Sequence, residues 1–158
     1  MGDELRIQIE RIFISPGHNF FGHQGKLPGA FPIIEVGEVE CVAGRGLAGD
    51  RFFNFKENYK GQVTFFSAEV FEDICRRLGV NGKLAGVTRR NIITRGVDLN
   101  SLVGKQFVVQ DVQFDGVCEC SPCHWMDEAI APGAEAALQG RGGLRARILS
   151  GGTLRAGA

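Results

Sequence analysis

The 158-residue chain has no apolar run of membrane-spanning length and no excess of charge of either sign. It carries only three His, one Trp and one Tyr. A bilayer-crossing helix needs about 20 apolar residues in a row, so no membrane attachment is expected. Eighteen basic residues balance eighteen acidic ones, which removes the usual basis of sequence-independent nucleic-acid binding, an excess of Lys and Arg. The start, Met-Gly-Asp-Glu, lacks the basic-then-apolar order of a secretory leader. Five cysteines, three of them within six residues, do not suggest a disulfide framework. Closely spaced thiols without a leader fit a reducing compartment, so a cytoplasmic location is expected. No internal repeat, second CxxC or HxxxH occurs, and no Lys stands in a setting that suggests a pyridoxal phosphate Schiff base.

The composition is that of a folded domain, 44% hydrophobic and 23% charged. The length suits one domain over residues 1–158. The basic residues are skewed, thirteen Arg to five Lys. Because the guanidinium fork matches phosphate and carboxylate, the skew points to an anionic small ligand.

Residues 5–15 alternate with period two and predict a strand with a bulge near Arg11. Residues 18–32 form a long Gly-, Pro- and aromatic-rich connection containing His18 and His23; solvated loop histidines are the default there. A second strand is expected over 35–42. The segment 44–49 matches GxGxxG but lacks the following helix and the distal acidic residue of a dinucleotide site, so it reads as a Gly-rich turn. A short buried strand over 62–66 leads to Ser67, the expected cap of the longest helix, with Val70, Phe71, Ile74, Cys75 and Leu78 on one face and Gly79 closing it. Further strands are expected over 91–94, 106–109, 112–117 and 144–149, with a helical turn after Leu99 and a weak helix over 134–139. Six or more strands beside one convincing helix imply an α+β, mostly β fold, an open or closed β-barrel with short helices. Its expected core is Ile7, Ile9, Ile12, Val39, Val63, Phe65, Ile92, Val108, Val112, Phe114 and Ile148.

The chemistry-bearing segment is Cys118-Glu119-Cys120-Ser121-Pro122-Cys123-His124, just past a strand end. Three thiols in a loop suggest reactivity or metal binding. The alternation Val112, Phe114, Gly116, Cys118 makes Cys118 the last inward residue of its strand. Cys123 follows Pro122 and has Trp125 and Met126 to shield it and His124 or Arg89 to favour its thiolate. A zinc or thiol-redox module on Cys118, Cys120 and Cys123 stays open as an alternative. The Arg residues at 51, 89–90 and 141–147 have solvated strand faces as their default; the sharper expectation is that one cluster holds a phosphate.

Gly-Leu-Ala-Gly-Asp-Arg (46–51), Arg-Arg-Asn-Ile-Ile-Thr-Arg-Gly-Val-Asp-Leu (89–99), Leu-Val-Gly-Lys-Gln-Phe (102–107), Cys-Ser-Pro-Cys (120–123) and Gly-Gly-Thr-Leu-Arg (151–155) occur in this order. Together they resemble the MOSC family, the domain at the C-terminus of molybdenum-cofactor sulfurases. The resemblance implies a β-barrel-centred domain that binds the molybdenum cofactor, a phosphorylated anionic pterin (molybdopterin). It puts the metal-ligating, potentially catalytic or sulfur-carrying Cys at Cys123. It assigns cofactor contacts to Ser121, Arg89 and Asn91, and implies a sulfur donor or a molybdoenzyme as partner. The neighbouring domains of the sulfurases and amidoxime-reducing enzymes have no counterpart here, so neither pyridoxal phosphate chemistry nor a complete redox enzyme is expected, and enzymatic status stays open.

Overall fold

Ile9 and Ile12, three positions apart, are both fully buried, which a regular strand could not achieve on one face. The computed structural model, which describes residues 7–16 and 33–157, resolves this with a bulge. Strand β1 (Gln8–Ile14) slips register between Ile9 and Arg11 where it pairs with the later strand 92–95. The expected strand start at Leu5, the 18–32 connection, His18 and His23 lie outside the described residues.

The segment 35–42 is two strands rather than one. Strand β2 (Ile34–Val36) pairs with β1. The chain then bends at Gly37, and β3 (Glu38–Val42) joins a separate sheet with β4 (Gly46–Leu47). Strand β5 (Val63–Ser67) runs into helix α1 (Ala68–Leu78), whose return gives the parallel partner β6 (Ile92–Arg95). The Ser67 side chain accepts a hydrogen bond from the Val70 N–H at one end of α1, and Gly79 adopts φ 69° at the other. A 3-10 turn, Leu99–Leu102, follows. Strands β7 (Gln106–Val109) and β8 (Val112–Glu119) join through Gln110 and Asp111, both at positive φ as a tight hairpin demands. Short helices α2 (Trp125–Ala129) and α3 (Ala134–Ala137) precede β9 (Leu144–Ile148) and β10 (Gly152–Arg155).

The large sheet has the order β2-β1-β6-β5-β9-β8-β7, the small one β10-β3-β4. The fold is therefore α+β and mostly β, but among the described residues no closed barrel forms: β2 and β7 end the large sheet, and the small sheet covers one of its faces. Val39, Cys41, Leu47 and Leu154 of the small sheet share a core with Ile9, Ile12, Phe65, Ile92 and Phe114. On the opposite face Phe13, Phe66 and Ile93 pack beneath Phe71 and Ile74 of α1, Met126 of α2 and Leu138. Strands β5 and β6 are thus buried on both sides, which explains the consecutive apolar pairs Phe65-Phe66 and Ile92-Ile93. Fully burying side chains such as Phe65 or Phe114 contributes about 1.5–3 kcal/mol each. Every expected core residue is buried except Val108, which is 55% exposed. On edge strand β7 the inward pair is Phe107 and Val109, so Val108 faces out. Among the described residues no helix is long and apolar enough to cross a membrane.

Candidate functional site

The loop 120–123 leaves the end of β8 and is held from two sides. The Cys120 N–H donates to the Gly143 carbonyl at 2.8 Å, and the Gly142 N–H donates to Glu119 Oε2 at 3.0 Å. From below, the buried Arg90 guanidinium donates to the carbonyls of Gly142 (2.9 Å), Cys120 (3.0 Å), Ser121 (3.4 Å) and Thr88 (3.3 Å). A single cation thus satisfies four backbone acceptors that would otherwise be stranded at the loop's base.

The three thiols separate clearly. A second bulge in β8, between Gly116 and Cys118, turns the strand over, so Cys118 pairs with Arg145 and shares its outward face. Cys118 is therefore not the final inward residue that simple alternation predicts. Cys120 is buried and Cys123 half-buried. Arg145 lies beside Cys120. Burial lowers its guanidinium, but Cys120, Tyr59 and Cys118 outweigh that and hold it above its ordinary value. Burial pushes the Cys123 thiol up, against the Trp125 backbone N–H and Arg90, which pull it down. The expectation that neighbouring cations make this thiol acidic is thus outweighed by desolvation. Of the two residues that follow His124, Met126 is buried and Trp125 Nε1 donates to the Val87 carbonyl at 2.9 Å.

Beside the loop lies a second cluster. Arg89 and Arg90 are 7% and 8% exposed, contrary to the solvated default for strand-end Arg. Arg89 sits at φ 60°, in the left-handed region that a β-carbon disfavours and that recurs at functional sites. Its Nη2 donates to Ser15 Oγ at 2.8 Å, and its carbonyl accepts from Arg51 Nη2 at 3.0 Å. Arg51 pairs with Asp50 at 3.1 Å, and Asp50 also accepts from the Ser15 and Phe52 N–H groups. Burial and the neighbouring Arg51 bring Arg89 down to about 10, with Asp50 opposing. Burial likewise lowers Arg51, against Asp50, while Arg90 adds to the lowering. Three guanidiniums thus lie close together, with Asp50 paired to Arg51.

Asn91 is wholly engaged within the fold. Its Oδ1 accepts from the Thr64 N–H and Oγ1, each at 3.0 Å, and its Nδ2 donates to the Phe13 carbonyl at 3.1 Å. It ties β1, β5 and β6 together under the Arg89–Arg90 turn. Ser121 is exposed at the loop's crest. Of the four residues singled out from sequence, Cys123 and Ser121 share the loop, Arg89 belongs to the adjoining Arg cluster, and Asn91 lies beneath it. Sequence reasoning named Arg51 and the Arg89-Arg90 pair among the clusters that could hold a phosphate but did not choose between them. Their only signal was adjacency, Asp50-Arg51 and Arg89-Arg90-Asn91, and adjacency does not report burial.

The comparisons agree with this architecture. The family model described as "MOSC domain" matches residues 46–158. Among solved structures, the YUAD protein from Bacillus subtilis superposes with a TM-score of 0.75 at 17% identity, over 98% of this chain and 94% of that one. YiiM from Geobacillus stearothermophilus gives 0.68 at 16% identity, over 94% of this chain and 71% of that one. No curated protein matches the chain.

Proposed function

The chain belongs to the MOSC domain family, and from that premise we propose that it binds the molybdenum cofactor and offers the Cys123 sulfur to the metal or to a sulfur atom in transit. The observation that carries this reading is the closeness of Arg51, Arg89 and Arg90, all largely buried, with Asp50 paired to Arg51. Burying like charges together is costly unless counter-charge arrives. A phosphorylated, anionic pterin supplies it, and the guanidinium fork suits phosphate oxygens. The donor set therefore fits the group.

In this assignment Arg89 and Arg51 face the anion, Ser121 offers a hydroxyl at the loop crest, and Asn91 acts by locking the turn that carries Arg89. Arg90 fixes the loop that presents Cys123. When bound, the cofactor supplies a molybdenum centre, for which a thiolate is a ready soft ligand. Burial raises the Cys123 thiol, so its proton leaves when the sulfur ligates a metal. When it takes sulfane sulfur from a persulfide donor, the proton passes to the donor's departing thiolate, and Arg90 favours the thiolate form of Cys123. The partners of such a module are a sulfur donor or a molybdoenzyme that receives the loaded cofactor.

The test is quantification of molybdenum, pterin and zinc in protein purified without chelators, with mass analysis of the Cys123 peptide. Pterin with molybdenum marks a cofactor holder, and an added sulfur atom on Cys123 marks a carrier. Arg89→Ala should weaken pterin binding by about 1.5–3 kcal/mol, the range for hydrogen bonds to charged groups. Stoichiometric zinc without pterin or molybdenum sinks the reading and favours the zinc or thiol-redox module on Cys118, Cys120 and Cys123.

A further inference from the structure

Past the thiol loop, the first turn of α2 and the start of α3 bring together a set of donors that the pterin reading does not use. His124 and Asp127 are three residues apart in the turn that opens α2, and Glu135 comes from α3. One ligand atom from each lies within 4.8 Å of the other two. Asp127 Oδ1 accepts the Glu135 N–H at 2.8 Å, which orients the Asp127 carboxylate and leaves its second oxygen available. Glu128 Oε1 lies 3.9 Å from His124 Nε2, adding a third carboxylate at the edge of the group.

The charge balance here is the reverse of that at the Arg cluster. Asp127 and Glu135 are both half-buried, and among the described residues no Lys or Arg forms an ion pair with either. Nearby guanidiniums are engaged elsewhere: Arg141 pairs with Asp73, and Arg90 spans backbone carbonyls. Carboxylates held this close repel unless a cation sits between them.

We propose that His124, Asp127 and Glu135 form a binding site for a divalent first-row transition metal. An imidazole nitrogen with two carboxylate oxygens is a donor set such ions accept, whereas Ca²⁺ and Mg²⁺ favour oxygen alone. Bound at about 2.0–2.2 Å, neighbouring ligand atoms sit about 3–4 Å apart, so closing the triad onto an ion needs only small side-chain motion. The ion would pin α3 to α2 immediately behind Cys123. This site does not rest on pterin binding and uses none of the thiols.

The experiment is a titration of the full chain with Mn²⁺, following the free ion by electron paramagnetic resonance. Mn²⁺ is chosen because carboxylate and imidazole take it readily while thiols prefer softer ions. The expected result is one Mn²⁺ per chain, weakened about tenfold or more in Glu135→Gln and in His124→Ala, and unchanged in Cys123→Ser. Asp127→Asn is less informative, since Asp127 also accepts the Glu135 N–H. No saturable binding at millimolar Mn²⁺ would reject the site. Full binding by both Glu135→Gln and His124→Ala would reject it too. Loss of binding in Cys123→Ser would move the ion to the thiol loop and equally overturn the proposal. Pterin content, read separately, reports on the other reading and is not altered by these outcomes.

Discussion

The Arg90 guanidinium donates to the Cys120 carbonyl at 3.0 Å across 30 residues of sequence. The same group reaches Gly142 and Ser121. The thiol loop therefore takes its shape from a residue just before β6, a strand separated from β8 by β5 and β9, and the proper control for any thiol variant is a change at Arg90.

Arg90→Ala leaves several buried carbonyls without donors, at about 1–3 kcal/mol for each that water cannot reach. An overall loss of about 3 kcal/mol is expected, read as a lower urea midpoint with an unchanged slope. Arg90→Lys should recover only part of it, because one ammonium cannot span the fork's acceptors. Recovery to the parent midpoint by Lys would show that charge rather than fork geometry holds the loop.

Asn91→Ala should act on stability more than on ligand contact. It removes two acceptor bonds to Thr64 and the donor to Phe13 inside the sheet, with an expected loss of about 2–4 kcal/mol. Asn91→Asp keeps the acceptors but sets a carboxylate against the Phe13 carbonyl, and should fare no better. If Asn91→Ala folds with the parent midpoint yet loses pterin, the side chain contacts the ligand directly.

Most of the architecture was legible because it rests on local signals. Ser67 and Gly79 cap α1, Gln110-Asp111 turns the hairpin, and the Leu144, Ala146, Ile148 alternation marks β9. What was hidden depends on long-range partners. Strand β10 exists because β3 pairs with it, and nothing in Gly-Thr-Leu-Arg announces that partner. The division of 35–42 between two sheets at Gly37 is equally non-local, as is the β8 bulge that turns Cys118 outward. At the site, the loop's position past a strand end was visible. The burial of Arg51, Arg89 and Arg90 was not, because charged residues at strand ends are normally solvated.

Cys41 should make stability depend on alkaline pH. Burial, with Glu40 beside it, pushes this thiol up to about 12. In the unfolded chain a thiol ionises near pH 8.5, so above that the unfolded state binds fewer protons than the folded one. The stabilisation is complete below about pH 8.5 and is lost as pH rises toward 12, by about 1.4 kcal/mol per pH unit between about 9 and 11. Cys41→Ala should start less stable, by a small core cavity, but decline with a slope shallower by that amount. Parallel slopes for the two proteins would show that Cys41 ionises without unfolding.

Gly142 offers the most direct way to loosen the thiol loop without touching a thiol or a charge. A β-carbon there would run into the Cys120 carbonyl oxygen and come within 2.9 Å of Pro122 Cδ and 3.0 Å of its nitrogen. These are backbone and ring atoms with little freedom to give way, so the loop must move off the 142–143 turn. That movement stretches the Cys120 N–H bond to Gly143 and the Arg90 bonds to Gly142 and Cys120. Gly142→Ala should cost about 1–3 kcal/mol, as overpacking does. It should also expose Cys123 and remove the desolvation that holds its thiol up, so that alkylation near pH 8 becomes faster while molybdenum or sulfur loading falls. Gly37→Ala is the control, since a β-carbon there meets nothing within 4 Å and the loop should not respond. Slower alkylation of Cys123 in Gly142→Ala, in protein that remains folded, would mean that the closed loop activates the thiol instead of shielding it.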